Sequence, residues 1–342
     1  MRAGTATLGG SHRVEVTHDG ATQALDADAI ILAPGSVPVF PEGMRPDGRR
    51  VLAPRFAPKL DKLPASTIVV GAGATGTEFV YLFNRLGVDV TWVVDPFGVL
   101  PPFDRDAAAT LAGVLERRGV KIVSGQFAQS IVSDDDGVTV TLEDGTALQA
   151  EGAFLAIGRR ADLSRLRVDV AGLTPGERGG ALLVDEFCRT SVPAIYAVGD
   201  AAGAPMLANQ AVRQAQVAAR HAAGAPTLPY RAATTVHAIY SDPQVAQVGT
   251  VNDPADAKVR VPFAAGLKAH IGHDDGGFLT LYFDPATRAV RGAAAVGHHA
   301  ADALAPVALA IETGATVEQL AAPAAAYPTV SEVAFLAAQA AS

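Results

Sequence analysis

The stretch TIVVGAGATGTEFVYLFNRLGVDVTWVVD, residues 67–95, decides the fold class. It opens on an apolar run and turns through three glycines. Phe79, Leu82, Phe83 and Leu86 then follow at helical spacing, and a second apolar run ends at Asp95. Strand, glycine turn, helix and strand make a βαβ unit, and such apolar strands suit a parallel sheet covered on both faces. GAGATG at 71–76 sits at the step from strand to helix, where a G-x-G-x-x-G match carries physical meaning. Gly71 permits the tight turn, Gly73 lets the backbone approach a pyrophosphate, and Gly76 allows close packing of helix on strand. Ala74 and Thr75 open the helix whose N-terminus faces the anion. At the end of the next strand, the Asp95 carboxylate is placed to accept hydrogen bonds from both hydroxyls of an adenosine ribose and to repel a 2′-phosphate, which favours NAD over NADP. The plainer reading of Asp95 is an exposed acid in a β–α loop.

Working outward, VEVTHDGATQALDADAIILAPGS (14–36) is echoed by VTVTLEDGTALQAEGAFLAIGR (138–159). Each copy reads as a hairpin followed by a strand. Asp19-Gly20 and Asp144-Gly145 supply the turns, and the strands run into Gly35 and Gly158. The second copy is preceded by the glycine-rich βαβ unit and the first is not, so the sequence reads as beginning in mid-domain. Further on, VDEFCRTSVPAIYAVGD (184–200) is a strand ending in Gly199-Asp200. A helix is expected from about Leu207 to Ala222, and Pro226 and Pro229 mark a linker. Strands at 259–263, 278–284 and 290–297 and helices at about 299–313 and 330–341 make an α+β terminal domain.

Composition bounds the chemistry. The 342 residues are 49% hydrophobic and 18% charged with a formal charge of −8, a globular composition with no basic surface for nucleic acid. No apolar run is long enough to span a bilayer and the opening residues lack the apolar core of a signal peptide, so no membrane partner and a cytoplasmic location are expected. Cys188 is the only cysteine, which excludes an internal disulfide or dithiol. His270-x-x-His273 with Asp274 and Asp275 reads as a solvated loop, Asp134–Gly137 as a hairpin tip, and no metal site is expected.

These motifs together resemble the pyridine nucleotide-disulfide oxidoreductase family. IILAPGSVP (30–38) is similar to the family's Ala-Thr-Gly-Ser-x-Pro stretch, and GAGATGTEF (71–79) to its nicotinamide-nucleotide motif. FLAIGRRAD (154–162) matches its Gly-Arg segment and TSVPAIYAVGD (190–200) its second flavin motif. The resemblance implies FAD and NAD as cofactors. It implies that Asp200 after Gly199 holds the flavin ribitol, that the helix opening at Leu207-Ala208 approaches the isoalloxazine, that Glu78 lies near the nicotinamide, and that Gly158 borders the cofactor site. The family's first G-x-G-x-x-G and its C-x-x-x-x-C are absent. AYPTVSE (326–332) stands where thiol-handling members carry His-x-His-Pro-T-x-x-E, with Ala325 and Tyr327 in place of the imidazoles. A tyrosine titrating near 10 is a poor proton shuttle for a thiolate at neutral pH. Soluble pyridine nucleotide transhydrogenases have a similar Tyr-Pro-Thr and give the closest resemblance, which makes Tyr327 the candidate catalytic residue. A packed interface tyrosine is the plainer alternative, and Glu332 reads as part of a Thr329-x-x-Glu332 capping box.

The expected fold class is α/β, a Rossmann-like NAD-binding domain (57–162) inserted in a truncated FAD-binding domain (1–56 and 163–225) and followed by an α+β dimerisation domain (226–342). The implied function is a transhydrogenase-like, FAD-dependent NAD(P)H oxidoreductase that takes a nicotinamide nucleotide as substrate and works as a homodimer. A dihydrolipoamide-dehydrogenase-like reductase and a non-catalytic NAD-binding module that has lost FAD are the alternatives.

Overall fold

Ser66–Val70 forms the central strand of a five-stranded parallel sheet in the computed structural model, which describes residues 2–177 and 180–342 apart from the Lys59 side chain. The strand order is Val51–Leu52, Gly152–Leu155, Ser66–Val70, Asp89–Val94 and Lys121–Ser124. Thr67 to Val70 are buried without a break, because helices and a hairpin sheet cover both faces. Helix Ala74–Arg85 follows the glycine turn and helix Arg105–Arg117 the second strand.

The first helix turns a different stripe inward from the one expected. Gly76, Thr77, Val80 and Phe83 are buried, while Leu82 and Leu86 are 43% and 53% exposed. The close approach of Gly76 to the strand sets the rotation. A Cβ there would lie 2.0 Å from the Gly71 carbonyl oxygen, so the stripe through Gly76 must face the sheet. Phe79 still packs, stacked on Phe154 with ring centroids 4.1 Å apart.

This sheet belongs to one of two units into which the chain divides, Phe40–Gly158 with Ala233–Ser342. The same unit holds a five-stranded antiparallel sheet in the order His237–Ile239, Gln244–Gly249, Val290–Gly297, Gly277–Phe283 and Ala257–Pro262. Helices Ala305–Thr313 and Glu332–Ala341 cover it over a core that includes Leu279, Leu281, Val307 and Val333. Asp104, 2% exposed, links the two sheets. It caps helix Arg105–Arg117 through the Ala107 N–H at 2.8 Å and accepts the Tyr282 hydroxyl hydrogen. His270 lies on a short helix, Leu267–Gly272, rather than in a loop, and His273 ends that helix in the left-handed region.

The other unit contains the residues up to Val39 together with Arg159–Ala232. Ile30–Leu32 and Ile195–Ala197 pair in parallel, Ser36–Pro38 and Arg159–Ala161 antiparallel, and Thr5–Gly10, Arg13–His18 and Ala21–Asp26 form a hairpin sheet. The two repeat copies, 14–36 and 138–159, fall on the hairpins Arg13–His18 with Ala21–Asp26 and Val138–Leu142 with Ala147–Ala150 and on the strands that follow them. Their turns differ. Asp19 and Gly20 both have positive φ, 48° and 78°, in a two-residue loop, whereas Gly145 alone turns left-handed (φ 87°) in a three-residue loop. No helix among the described residues is long and apolar enough to cross a membrane.

Candidate cofactor sites

The glycine turn lies at the carboxyl end of Ser66–Val70, the end of a parallel sheet at which ligands bind. Its three glycines do three different things. Gly71 has φ +107° and would place a Cβ 2.4 Å from the Ala156 carbonyl oxygen, so only glycine fits against the neighbouring strand's exit. Gly76 presses on the Gly71 carbonyl, to which the Trp92 indole also donates at 3.0 Å. Gly73, the N-cap, meets nothing within 4 Å of its Cβ position and has no side-chain cap. The N–H groups of Ala74, exposed, and Thr75, half-buried, have no partner within their helix and stand beside a helix dipole that favours negative charge. An open cradle of helix N-terminal amides fits a dinucleotide pyrophosphate.

Asp95 follows the adjacent strand at the same sheet end. One carboxylate oxygen accepts the Phe97 N–H at 2.9 Å and the other is left for a ligand. Glu78, one turn further along the helix, accepts the Tyr240 N–H at 2.9 Å. Gly71, Gly73, Ala74, Thr75, Gly76, Glu78 and Asp95 thus share one unit, and Gly158 (φ +133°) ends that unit's inserted segment.

Gly199, Asp200, Leu207 and Ala208 come together in the other unit. Gly199 (φ +62°) has its N–H bound to the buried Gln214 side chain at 2.8 Å, and a Cβ there would press to 3.0 Å on Ala211. Asp200 follows at the strand end. One of its carboxylate oxygens accepts the Ser36 hydroxyl hydrogen, and Arg159 in turn donates to the Ser36 Oγ at 2.7 Å and to its carbonyl at 2.8 Å. Leu207 is the N-cap of the fifteen-residue helix Ala208–Ala222. A carboxylate held by one oxygen beside a helix N-terminus fits the ribitol and ring end of a flavin. For the ADP half, the described residues of this unit offer no glycine turn of the 71–76 kind. Sequence reading did not single out Ser36 and Arg159. Their signal is the pairing of the IILAPGS and Gly-Arg segments, which only the antiparallel strands Ser36–Pro38 and Arg159–Ala161 reveal.

Tyr327 is 67% exposed on the loop before the last helix. The expected capping box does not form. The Thr329 hydroxyl turns back to the Ala326 carbonyl at 2.9 Å, the N-cap is Ser331, and Glu332 begins the helix with one carboxylate oxygen buried and without a partner. Cys188 is fully buried and its thiol is pushed up to about 11, chiefly by desolvation, which keeps it a neutral packing residue. Among the described residues no cluster of three metal-ligating side chains occurs.

The family profile described as pyridine nucleotide-disulphide oxidoreductase matches residues 2–215, and that of the family's dimerisation domain matches residues 235–338. The chain is 35% identical over 327 residues to an NAD(P)H dehydrogenase (quinone) of Mycobacterium tuberculosis, covering 94% of this chain and 66% of that protein. It is 35% identical over 351 residues to a dihydrolipoyl dehydrogenase of Halobacterium salinarum, covering 98% and 73%. The crystal structure of LpdA from Mycobacterium tuberculosis superposes with a TM-score of 0.91 at 33% identity, covering all of this chain and 75% of that one. The chain therefore spans about two thirds to three quarters of the length of these relatives. The chain belongs to the pyridine nucleotide-disulphide oxidoreductase family, whose members work with FAD and a nicotinamide dinucleotide.

Proposed function

We propose that this chain serves a FAD-dependent NAD(P)H oxidoreductase of transhydrogenase-like type, one that moves hydride between nicotinamide and flavin without a dithiol. In this reading residues 57–162 bind NAD(H), 1–56 and 163–225 form the flavin part, and 226–342 make a homodimer. The observation that carries it is the open cradle at Gly73 with the Asp95 carboxylate one strand away. The amides at Ala74 and Thr75 bind the pyrophosphate and Asp95 orients the ribose. Glu78, fixed by the Tyr240 N–H, borders the nicotinamide, and Asp200, held by Ser36, takes a ribitol hydroxyl. FAD supplies the two-electron chemistry when bound, and the protein's share is orientation and exclusion of water.

Tyr327, standing where the thiol-handling members carry an imidazole, weighs against a dithiol acceptor. A second reading, reduction of lipoamide, draws support from the dihydrolipoyl dehydrogenase relative, and the quinone-reducing relative offers a further acceptor class. Anaerobic stopped-flow absorbance of the chain supplied with FAD tests the proposal. NADH is expected to bleach bound flavin, and a second nicotinamide such as thio-NAD to restore its colour where lipoamide does not. Restoration by lipoamide would overturn the transhydrogenase-like reading. Failure to bind flavin while binding NADH would leave the chain a dinucleotide-binding module.

A further inference from the structure

A cavity of about 210 Å³ lies at the amino end of the parallel sheet, the end opposite the glycine turn. Thr67 and Gly152, paired at the starts of their strands, line it together with Leu60 and Leu63. Three cations, Arg49, Arg50 and Lys62, line it as well, against a single carboxylate, Glu151. One oxygen of that carboxylate already accepts the Ala65 N–H at 2.7 Å. Asp47, just before the arginines, is also engaged. One of its oxygens takes the N–H groups of Arg49, Arg50 and Val51 at 2.8 to 2.9 Å, and the other the Ser133 hydroxyl hydrogen at 2.9 Å. Among the described residues, Arg49, Arg50 and Lys62 make no ion pair.

The Arg50 guanidinium is held in place by backbone. Its Nη1 donates to the Glu151 carbonyl at 3.1 Å and its Nη2 to the Asp135 carbonyl at 2.7 Å, while its Nε is buried and has no partner among the described residues. Two carbonyls orient this charge without neutralising it. A guanidinium stays protonated at any ordinary pH, and a buried N–H favours an acceptor, best a carboxylate that takes two of its hydrogens at once. The cations therefore call for an anion, and the leucine walls call for an apolar body beside it. A bare oxyanion leaves Leu60 and Leu63 unused, and a neutral hydrocarbon strips water from the cations without replacing it. We propose that this cavity binds a small carboxylic acid with an apolar body, its carboxylate on Arg49, Arg50 and Lys62 and its body against Leu60 and Leu63. The site goes beyond the cofactor reading and is independent of it, because the glycine turn and Asp95 lie at the other end of the strands.

Isothermal titration of the 342-residue chain with benzoate, a small rigid acid of this class, tests the proposal. One saturable site is expected. Benzamide, of the same shape but without the charge, is expected to bind roughly tenfold or more weakly. Acetate and inorganic phosphate, which lack the apolar body, are expected to displace benzoate only at roughly tenfold or more higher concentration. The double variant Arg49→Gln, Lys62→Gln changes two exposed side chains, so it is expected to keep the thermal midpoint of the parent and to lose roughly tenfold or more in benzoate affinity. Leu63→Ala, at a position 37% exposed, is expected to weaken benzoate several-fold. Absence of saturable benzoate binding, benzamide binding equal to benzoate, or parent-like affinity in the double variant would overturn the site. Displacement by acetate or phosphate at equal concentration would also overturn it, reducing the cavity to an unspecific anion patch. NADH affinity is expected to be the same with and without saturating benzoate, and competition between the two would overturn the placement of the acid at this end of the sheet.

Discussion

The two copies of the internal repeat end in equivalent strands with different surroundings. Gly152–Leu155 lies between Ser66–Val70 and Val51–Leu52, and all four of its residues are buried. Ile30–Leu32 pairs with Ile195–Ala197 on one side, and among the described residues no strand pairs its other side. There Ile31 is 39% exposed, and a groove of about 220 Å³ runs past Leu8, Val14, Ile31 and Leu166. In the second copy the strand that leads into the glycine turn does more than carry a ligand site. The strand that carries it completes the neighbouring strand's backbone pairing, while its helix brings Phe79 and Phe83 against Phe154. One copy thus has a closed sheet and an open amide cradle. The other has a poised carboxylate beside a strand that has one partner strand among the described residues.

The largest expected effect tests that contrast in stability. Phe154→Ala empties a fully buried site and is expected to cost about 3–5 kcal/mol in urea unfolding. Ile31→Ala, on the open edge, is expected to cost under about 1 kcal/mol, as for a surface change. Equal costs would mean that the edge is covered. Next in size, Gly73→Ala has room for its methyl group and so should fold normally, yet it is expected to lose roughly tenfold or more in NADH affinity by intruding on the pyrophosphate. Asp95→Ala is expected to weaken NADH by about tenfold, the worth of a charge-assisted hydrogen bond, and to narrow any preference over NADPH. Isothermal titration reads both. On the flavin side, Ser36→Ala frees the Asp200 carboxylate from its relay to Arg159 and is expected to weaken FAD several-fold without touching NADH.

The smallest effect is one of pH. Burial holds the His237 imidazole below its ordinary range, so the unfolded chain takes up a proton first as pH falls. The stability this group contributes is complete above about pH 6.5 and is lost as pH drops towards the lower folded value. Urea midpoints at pH 7.5 and 5.5 should differ less in His237→Gln than in the parent.

Sequence reading reached furthest where backbone geometry leaves one choice of residue. Gly71 and Gly76 are legible because no side chain fits their positions, and Asp19-Gly20 because both residues turn left-handed. The face of the first helix was not legible, because its rotation follows from the contact between Gly76 and the Gly71 carbonyl rather than from the spacing of Leu82 and Leu86. Thr329 and Glu332 have the spacing of a capping box, but the hydroxyl finds a nearer carbonyl at Ala326. Ser36, Arg159 and Asp200 lie far apart in the chain, and strand pairing alone brings them together.

If residues 57–162 bind NAD(H) as proposed, the dinucleotide site is complete within the unit that carries the glycine turn, whatever the state of the flavin side. Fluorescence titration of the flavin-free chain with NADH, repeated with FAD added, separates the two sites. Saturable binding is expected, one NADH per chain, with an affinity that FAD leaves unchanged. Binding that is absent without FAD and appears with it would mean that the site needs the flavin to form.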